Sequence, residues 1–199
     1  LKFIGLNIEI SKKKKTLKTS YNKELKTIAP YNLLKTMRAG VLVLGPLLAK
    51  YKKAKVSLPG GCAIGARPVN LHLFALQKLG AKIKIKNGYI HATAKNGLKG
   101  ALIKFPSISV GATESSILAA VTAKGKTIIS NCAIEPEIQD MIIFLKKLGC
   151  NINFIGKRKI SIIGTKKFKS ASHEVIFDRI ELGTYLIAAA LAGKKIIFS

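Results

Sequence analysis

The stretch 56–80, VSLPGGCAIGARPVNLHLFALQKLG, sets a thiol, Cys62, among three glycines, Gly60, Gly61 and Gly65, with Arg67 close behind. Glycine takes positive φ freely and lets backbone come close to a ligand, so this loop can shape itself around a substrate. A thiol beside a guanidinium and the start of the helix opened by Arg67-Pro68 has its thiolate stabilised, which suits a nucleophile or a proton-transferring acid. Taken without its surroundings, the same cysteine is equally a small packed hydrophobe. Cys132 follows the strand-like KTIIS and Cys150 enters the strand-like NINF, so both are expected buried and slow to react. Three scattered cysteines make no disulfide framework and have no metal-ligand spacing, so no metal is expected and a reducing cytoplasm fits.

Arginine is the second signal. Of 35 basic residues only Arg38, Arg67, Arg158 and Arg179 are arginine. Where lysine serves wherever a simple charge is enough, surviving arginines mark places that need a planar, bidentate fork. Arg38, Arg67 and Arg179 lie in or beside glycine-bearing strand-to-helix junctions; Arg158, in the lysine-flanked turn GKRKI, is taken as retained by chance. The net charge of +26 invites a nucleic-acid partner, but base readout and single-strand binding lean on arginine and aromatic stacking, and here tryptophan is absent and aromatics are 7%. Lysines 12–15 read as a solvated loop, and no nucleic-acid partner is expected. Five of the nine acids fall in two motifs, Glu135, Glu137 and Asp140 in EPEIQD, and Asp178 and Glu181 in DRIELG, where they complement helix dipoles. His72, His91 and His173 share no motif and are assigned no chemistry.

These junctions recur. GVLVLGPLLAKYKKAKVSL from Gly40, GATESSILAAVTAKGKTIIS from Gly111 and GTYLIAAALAGKKIIFS from Gly183 each read as helix, basic turn and strand, and begin 71 and 72 residues apart. Interleaved with them, LKFIGLNIEI, LQKLGAKIKI and LKKLGCNINF each read as a helix end, a capping glycine (Gly5, Gly80, Gly149) and an alternating strand. A unit of roughly 70 residues is thus seen nearly three times, which predicts an α/β architecture with internal pseudo-symmetry. At 199 residues and 48% hydrophobic content the chain can bury one good core or two small ones. Its longest apolar stretches, 39–49 and 183–193, are broken by glycine or proline and fall short of the roughly 18 residues a membrane span needs. No membrane association and no export signal are expected.

The motifs LPGGCAIGARPVNLH, APYNLLKTMRAG, SVGATES, EPEIQD and DRIELGTY, in this order, resemble the UDP-N-acetylglucosamine enolpyruvyl transferases over essentially the whole chain. The cysteine loop is the most specific of them, because the sister shikimate-pathway transferases share the fold without this thiol. The resemblance implies two inside-out α/β barrels built from repeated βαβαββ units. Residues 1–177 would form most of the first barrel and 178–199 the crossover and the start of the second, with Asp178 and Arg179 at the crossover.

It further implies transfer of the enolpyruvyl group of phosphoenolpyruvate to the 3-hydroxyl of UDP-N-acetylglucosamine. Phosphate is released, no cofactor is used, and the step is the first committed one of peptidoglycan synthesis. Cys62 would be the acid, would form an adduct with phosphoenolpyruvate, and would be alkylated by an epoxide antibiotic of the fosfomycin type. Arg67, Pro68, Val69, Asn70 and Leu71 would hold the uridine diphosphate portion; Ser107, Ile108, Ser109 and Val110 would face the nucleotide; Arg38 would contact ligand. Asn70 departs from the aspartate usual in the family, and Ser107 from a frequent lysine. The family's lysine-asparagine pair would precede Leu1, and its aspartate base and a further arginine would follow Ser199. The alternative is a truncated UDP-sugar-binding fragment without catalysis.

Overall fold

Three helix ends close in the same way and set the period of the fold. A computed structural model describes residues 1–21, 24–35, 37–59, 69–193 and 197. In it Gly5, Gly80 and Gly149 all take positive φ, at 108°, 93° and 95°. The N–H groups of Gly80 and Ala81 turn back to the carbonyls of Gln77 and Leu76; Gly149 and Cys150 repeat this with Lys146 and Leu145, and Gly5 and Leu6 with Lys2 and Leu1. This crossed pair of bonds stops a helix and turns the chain into a strand, as the spacing of the glycines predicts.

The first, partial unit supplies the 3-10 turn Lys2–Ile4 and the hairpin β1 (Asn7–Ser11) and β2 (Thr16–Ser20). A second unit runs β3 (Ile28–Ala29), α1 (Tyr31–Leu34), the 3-10 turn Arg38–Val43, α2 (Leu44–Tyr51), β4 (Lys53–Ser57), α3 (Asn70–Lys78), β5 (Lys82–Lys86) and β6 (Tyr89–Thr93). The third runs β7 (Leu102–Lys104), α4 (Val110–Ala120), β8 (Lys126–Ser130), α5 (Pro136–Lys147), β9 (Asn151–Gly156) and β10 (Lys159–Ile163). Helix α6 (Arg179–Ala192) follows. The two sheets have one topology, β3-β4-β6-β5 and β7-β8-β10-β9. In each the first pair is parallel, bridged by a crossover helix, and the other pairs are antiparallel. The pseudo-symmetry expected from the repeat is present in strand order as well as in length.

Alternation points Ala54, Val56, Ile90 and Ala92 of one sheet and Ile129, Ile152, Ile160 and Ile162 of the other into the core. What they cover is helical. On α4 the buried residues are Ala112, Thr113, Ser115, Ser116, Ile117, Ala119 and Ala120, more than half of the helix surface, and the remaining stripe of Gly111, Glu114 and Leu118 is half-buried. A helix with no exposed face belongs in an interior, and small side chains let a neighbour come close. A Cβ added to Gly45 of α2 would sit 3.1 Å from the Ser115 carbonyl oxygen and 3.4 Å from the Ala119 Cβ. Two of the α4 hydroxyls are satisfied within the helix and its cap, Thr113 Oγ1 donating to the Ser109 carbonyl (2.8 Å) and Ser116 Oγ to that of Ala112 (2.6 Å). Helices inside and sheets outside make an inside-out α/β barrel, as expected. Helices α3 and α5 each bury one face, through Leu73, Ala75 and Leu76 and through Ile138, Ile142 and Leu145.

Arg158 departs from its sequence reading. Its guanidinium donates to the Cys132 carbonyl at 3.1 Å, tying the β9–β10 turn to the end of β8, so it is a structural arginine. The segment after β10 is strapped along α5: Lys169 N–H donates to the Leu148 carbonyl, and His173 Nε2 meets Asp140 Oδ1 at 2.8 Å. The strand expected after α6 falls in 194–199, where only Ile197 is described.

Candidate active site

All but one of the segments singled out in the sequence follow the carboxyl end of a parallel strand, DRIELGTY being the exception. Arg38 comes after β3, the cysteine loop and 69–71 after β4, 107–110 after β7, and EPEIQD after β8. Since β3 is parallel to β4 and β7 to β8, each sheet presents its segments at one edge. Such edges, where helices begin, are where open α/β folds bind ligands.

Two helix starts form the described part of the site. Helix α4 is capped by Ser109, whose Oγ accepts the Ala112 N–H at 3.3 Å and whose carbonyl accepts that of Thr113 at 3.0 Å. The N–H groups of Val110 and Gly111 are then the donors left for an anion, with Ser107 and Ile108 exposed in the approach. Its hydroxyl oxygen accepts in the cap, so what Ser109 can offer an anion is its O–H proton. Helix α3 begins at Asn70 with Val69 as its N-cap, two residues later than the start expected at Arg67-Pro68. Its N-cap residue makes no side-chain cap bond and its first turn carries no acid, which leaves the positive end of the helix dipole uncompensated by its own side chains. Val69 is buried, Leu71 half-buried and Asn70 exposed.

A residue passed over in the sequence joins the two starts. His72 Nδ1 lies 2.6 Å from Ser115 Oγ, and its ring edge lies over α4 where Gly111 lacks a side chain. Phe74 of α3 adds a tilted ring contact with Phe105, at 6.3 Å between centroids, just before the 107–110 segment. Asn131 Nδ2 donates to the Phe105 carbonyl at 3.0 Å, and Ala133 N–H to Thr113 Oγ1 at 3.0 Å, so the β8–α5 junction is fixed against the same helix start.

Cys62, Arg67 and Pro68 lie outside the described residues, as does the side chain of Arg38, whose backbone opens the 3-10 turn Arg38–Val43. The loop's ends are held. Leu58 N–H donates to the Gly88 carbonyl at 2.9 Å, and α3 receives the chain at Val69. Cys132 and Cys150 are buried as expected, and burial pushes both thiols up, which disfavours their reactive thiolates. Among the described residues no cluster of histidine, cysteine and carboxylate could hold a metal ion.

The two acidic motifs meet. Arg179 grips Glu137 through two bonds, Nε to Oε2 at 3.0 Å and Nη2 to Oε1 at 2.8 Å, the bidentate use that scarce arginine predicts. Asp178 caps α6 by accepting from Ile180 and Glu181 N–H, and Glu135 is the N-cap residue of α5. The hydrogen bond from Arg179 holds the Glu137 carboxyl below the usual range. Glu114, on α4 within SVGATES, is shifted the other way, first by burial and then by the negative Glu137.

The signs of the two shifts differ. Glu137 contributes stability that is present above the ordinary carboxylate range and lost as pH falls through its lowered folded value. Glu114 favours the fold when protonated, and that contribution is lost as pH rises through its raised folded value. Glu114→Gln is therefore expected to raise Tm by roughly 1–3 °C at pH 7 and by less at pH 4. Thermal scans at the two pH values check this; an equal rise at both would contradict it.

The fold and this edge have counterparts among known proteins. The UDP-N-acetylglucosamine 1-carboxyvinyltransferase of Pelagibacter ubique is 61% identical over 191 residues, covering 96% of this chain and 45% of the relative. That of Endomicrobium trichonymphae is 53% identical, covering 99% of this chain and 47% of the relative. The chain spans just under half the length of these relatives. Among solved structures, the enolpyruvyl transferase NikO from Streptomyces tendae matches with a TM-score of 0.78 at 21% identity, over 94% of this chain and 44% of that one. EPSP synthase from Acinetobacter baumannii matches with a TM-score of 0.72 at 20% identity, over 96% and 43%. At such identities the likeness is one of fold, and the fold is that of the enolpyruvyl transferases. Residues 1–199 all match one family, so the chain, with its helix-filled barrel and repeated strand order, belongs to the family of EPSP synthase (3-phosphoshikimate 1-carboxyvinyltransferase).

Proposed function

We propose that this chain is the nucleotide-sugar-binding, cysteine-bearing half of a UDP-N-acetylglucosamine 1-carboxyvinyltransferase. The observation that carries the reading is its 61% identity, across 96% of its length, to a relative of that name. The cysteine loop, absent from the shikimate-directed sister enzymes, agrees with it.

In this reading Arg67, Pro68, Val69, Asn70 and Leu71 hold the uridine diphosphate from the start of α3. Ser107, Ile108, Ser109 and Val110 hold it from the start of α4, with the Val110 and Gly111 N–H groups turned to phosphate and Arg38 adding charge. The Cys62 thiol gives its proton to the methylene carbon of phosphoenolpyruvate while the sugar 3-oxygen bonds to the adjacent carbon and loses its own proton to a base. A proton then leaves the methyl carbon, the carbon–carbon double bond re-forms, and the bond to phosphate breaks. Protons and electrons balance without a metal or organic cofactor. Asn70, in place of aspartate, can still accept a hydrogen bond from the uracil imide, without the strengthening of a charge.

Residues 1–177 are read as most of the first barrel and 178–199 as the crossover and the start of the second. Supporting this, α6 occupies the place in the repeat that α2 and α4 occupy and is equally apolar, yet none of its residues is buried, and Leu191 is 84% exposed. An apolar groove of about 470 Å³, lined in part by Phe3, Leu25, Leu33, Met37, Pro46 and Tyr51, is likewise open. The isolated 199-residue chain is accordingly read as a UDP-sugar binder without turnover. No described helix is long and apolar enough to cross a membrane. The reading places the enzyme in the cytoplasm, at the first committed step of peptidoglycan synthesis, with neither nucleic acid nor membrane as partner.

The test uses the full-length protein with phosphoenolpyruvate and UDP-N-acetylglucosamine and no added metal. An enolpyruvyl adduct of the nucleotide sugar, seen by mass, with matching phosphate release is expected. No adduct, or turnover only with shikimate 3-phosphate, would overturn the reading.

A further inference from the structure

The two segments read as holding the nucleotide come from different units. Residues 69–71 hang from the sheet of β4, and 107–110 from the sheet of β7. A ligand held by both is held well only if their separation is fixed, because a shift of about 1 Å in a binding frame is costly. Two side-chain contacts between α3 and the third unit bear on that separation, His72 with Ser115 and Phe74 with Phe105. Phe74 lies two residues beyond His72, past the first turn of α3. His72 immediately follows Leu71, inside the first turn.

The local geometry gives His72 two fixed points on α4. Its Nδ1 is 2.6 Å from the hydroxyl of Ser115, a residue only 2% exposed, and either imidazole tautomer satisfies the pair by exchanging the donor and acceptor roles. A Cβ added to Gly111 would lie 3.0 Å from Cε1 and 3.2 Å from Nε2, so the ring occupies the space a side chain at 111 would take. Gly111 is the second residue of α4, next to Val110 and two after the Ser109 cap. The imidazole therefore stands between the two helices, hydrogen-bonded through Nδ1 to Ser115 and with Cε1 and Nε2 filling the space beside Gly111.

We propose that His72 is the positioning residue that sets the spacing between the two nucleotide-holding segments, acting through Ser115 and Gly111. This rests on the nucleotide-sugar reading above. Removing the ring opens a gap between the helices and strips the buried Ser115 hydroxyl of its partner, both of which let the segments slip. Asparagine can set an amide atom close to where Nδ1 stands, so it is the conservative replacement; alanine is the disruptive one.

The experiment measures, in the full-length protein, KM for each substrate and kcat, together with calorimetric affinity for UDP alone, for wild type, His72→Ala, His72→Asn and Ser115→Ala. A positioning role predicts that His72→Ala raises KM for the nucleotide sugar and Kd for UDP about tenfold, the order expected of one lost buried polar contact. KM for phosphoenolpyruvate and kcat at saturating nucleotide sugar should stay within about twofold, because the loss is in binding the nucleotide and not in the chemical step. Ser115→Ala should move UDP affinity in the same direction, and His72→Asn should recover most of it. Unchanged UDP affinity in His72→Ala would overturn the proposal, as would a joint collapse of kcat and both KM values that asparagine does not rescue. If His72→Ala does not fold, Ser115→Ala and His72→Asn carry the same comparison. Wild-type protein that binds UDP but makes no enolpyruvyl product would sink the assigned reaction while leaving the His72 effect readable; wild-type protein that does not bind UDP would sink both.

Discussion

Replacing Cys62 by alanine in the full-length protein is expected to lower product formation roughly 10²- to 10⁴-fold, the contribution of a positioned acid. Binding of UDP-N-acetylglucosamine should change little, because the partner proposed for the thiol is the methylene carbon of phosphoenolpyruvate and the place proposed for the nucleotide is the starts of α3 and α4. Activity and nucleotide affinity should therefore separate in this variant, and no mass adduct of phosphoenolpyruvate should form on the protein. Phosphate release at the wild-type rate would remove Cys62 from the chemistry. A parallel loss of nucleotide affinity would assign the loop to binding instead.

Arg67→Lys keeps the charge and discards the fork. Arginine holds phosphate through two parallel N–H bonds, whereas lysine presents a compact, strongly hydrated point charge. The substitution is expected to weaken nucleotide-sugar binding by about 1–3 kcal/mol, the range of a hydrogen bond to a charged group. The use made of Arg179 supports reading the chain's few arginines in this way, since it meets Glu137 bidentately, at 3.0 and 2.8 Å. Equal affinities by titration calorimetry would show that position 67 needs only a positive charge.

Elements whose signals are local were legible in the sequence. Gly5, Gly80 and Gly149 stop helices because only glycine takes their positive φ without strain, and each is followed by the strand its alternation predicts. The recurrence of helix, basic turn and strand from Gly40 and Gly111 likewise appears in the structure as α2 to β4 and α4 to β8. The missing information was tertiary. His72 and Ser115 are 43 residues apart, and nothing near either in sequence announces the other. Arg158, flanked by lysines, looks like one more surface charge, yet its partner is the backbone carbonyl of Cys132 across a turn. His173 and Asp140 meet only because the segment after β10 lies back along α5. The start of α3 was misplaced by two residues because proline at the first helical position is a common signal, while here Val69, with φ −99° and ψ 7°, is the boundary.

The most direct test is competition among three thiols in one chain. Cys132 is fully buried and Cys150 is 6% exposed, and burial raises both thiols, so neither should react quickly in the folded protein. Cys62 sits in a loop with three glycines, close to Arg67 and ahead of a helix start. Limited alkylation of the folded 199-residue chain by an epoxide of the fosfomycin type, followed by peptide mapping, should label Cys62 first and leave the other two unmodified until the protein unfolds. Bound nucleotide sugar should accelerate labelling in the full-length protein, and less so in this chain, where the apolar surface of α6 has no cover. Label arriving first on Cys132 or Cys150 would contradict the assignment of Cys62 as the activated thiol.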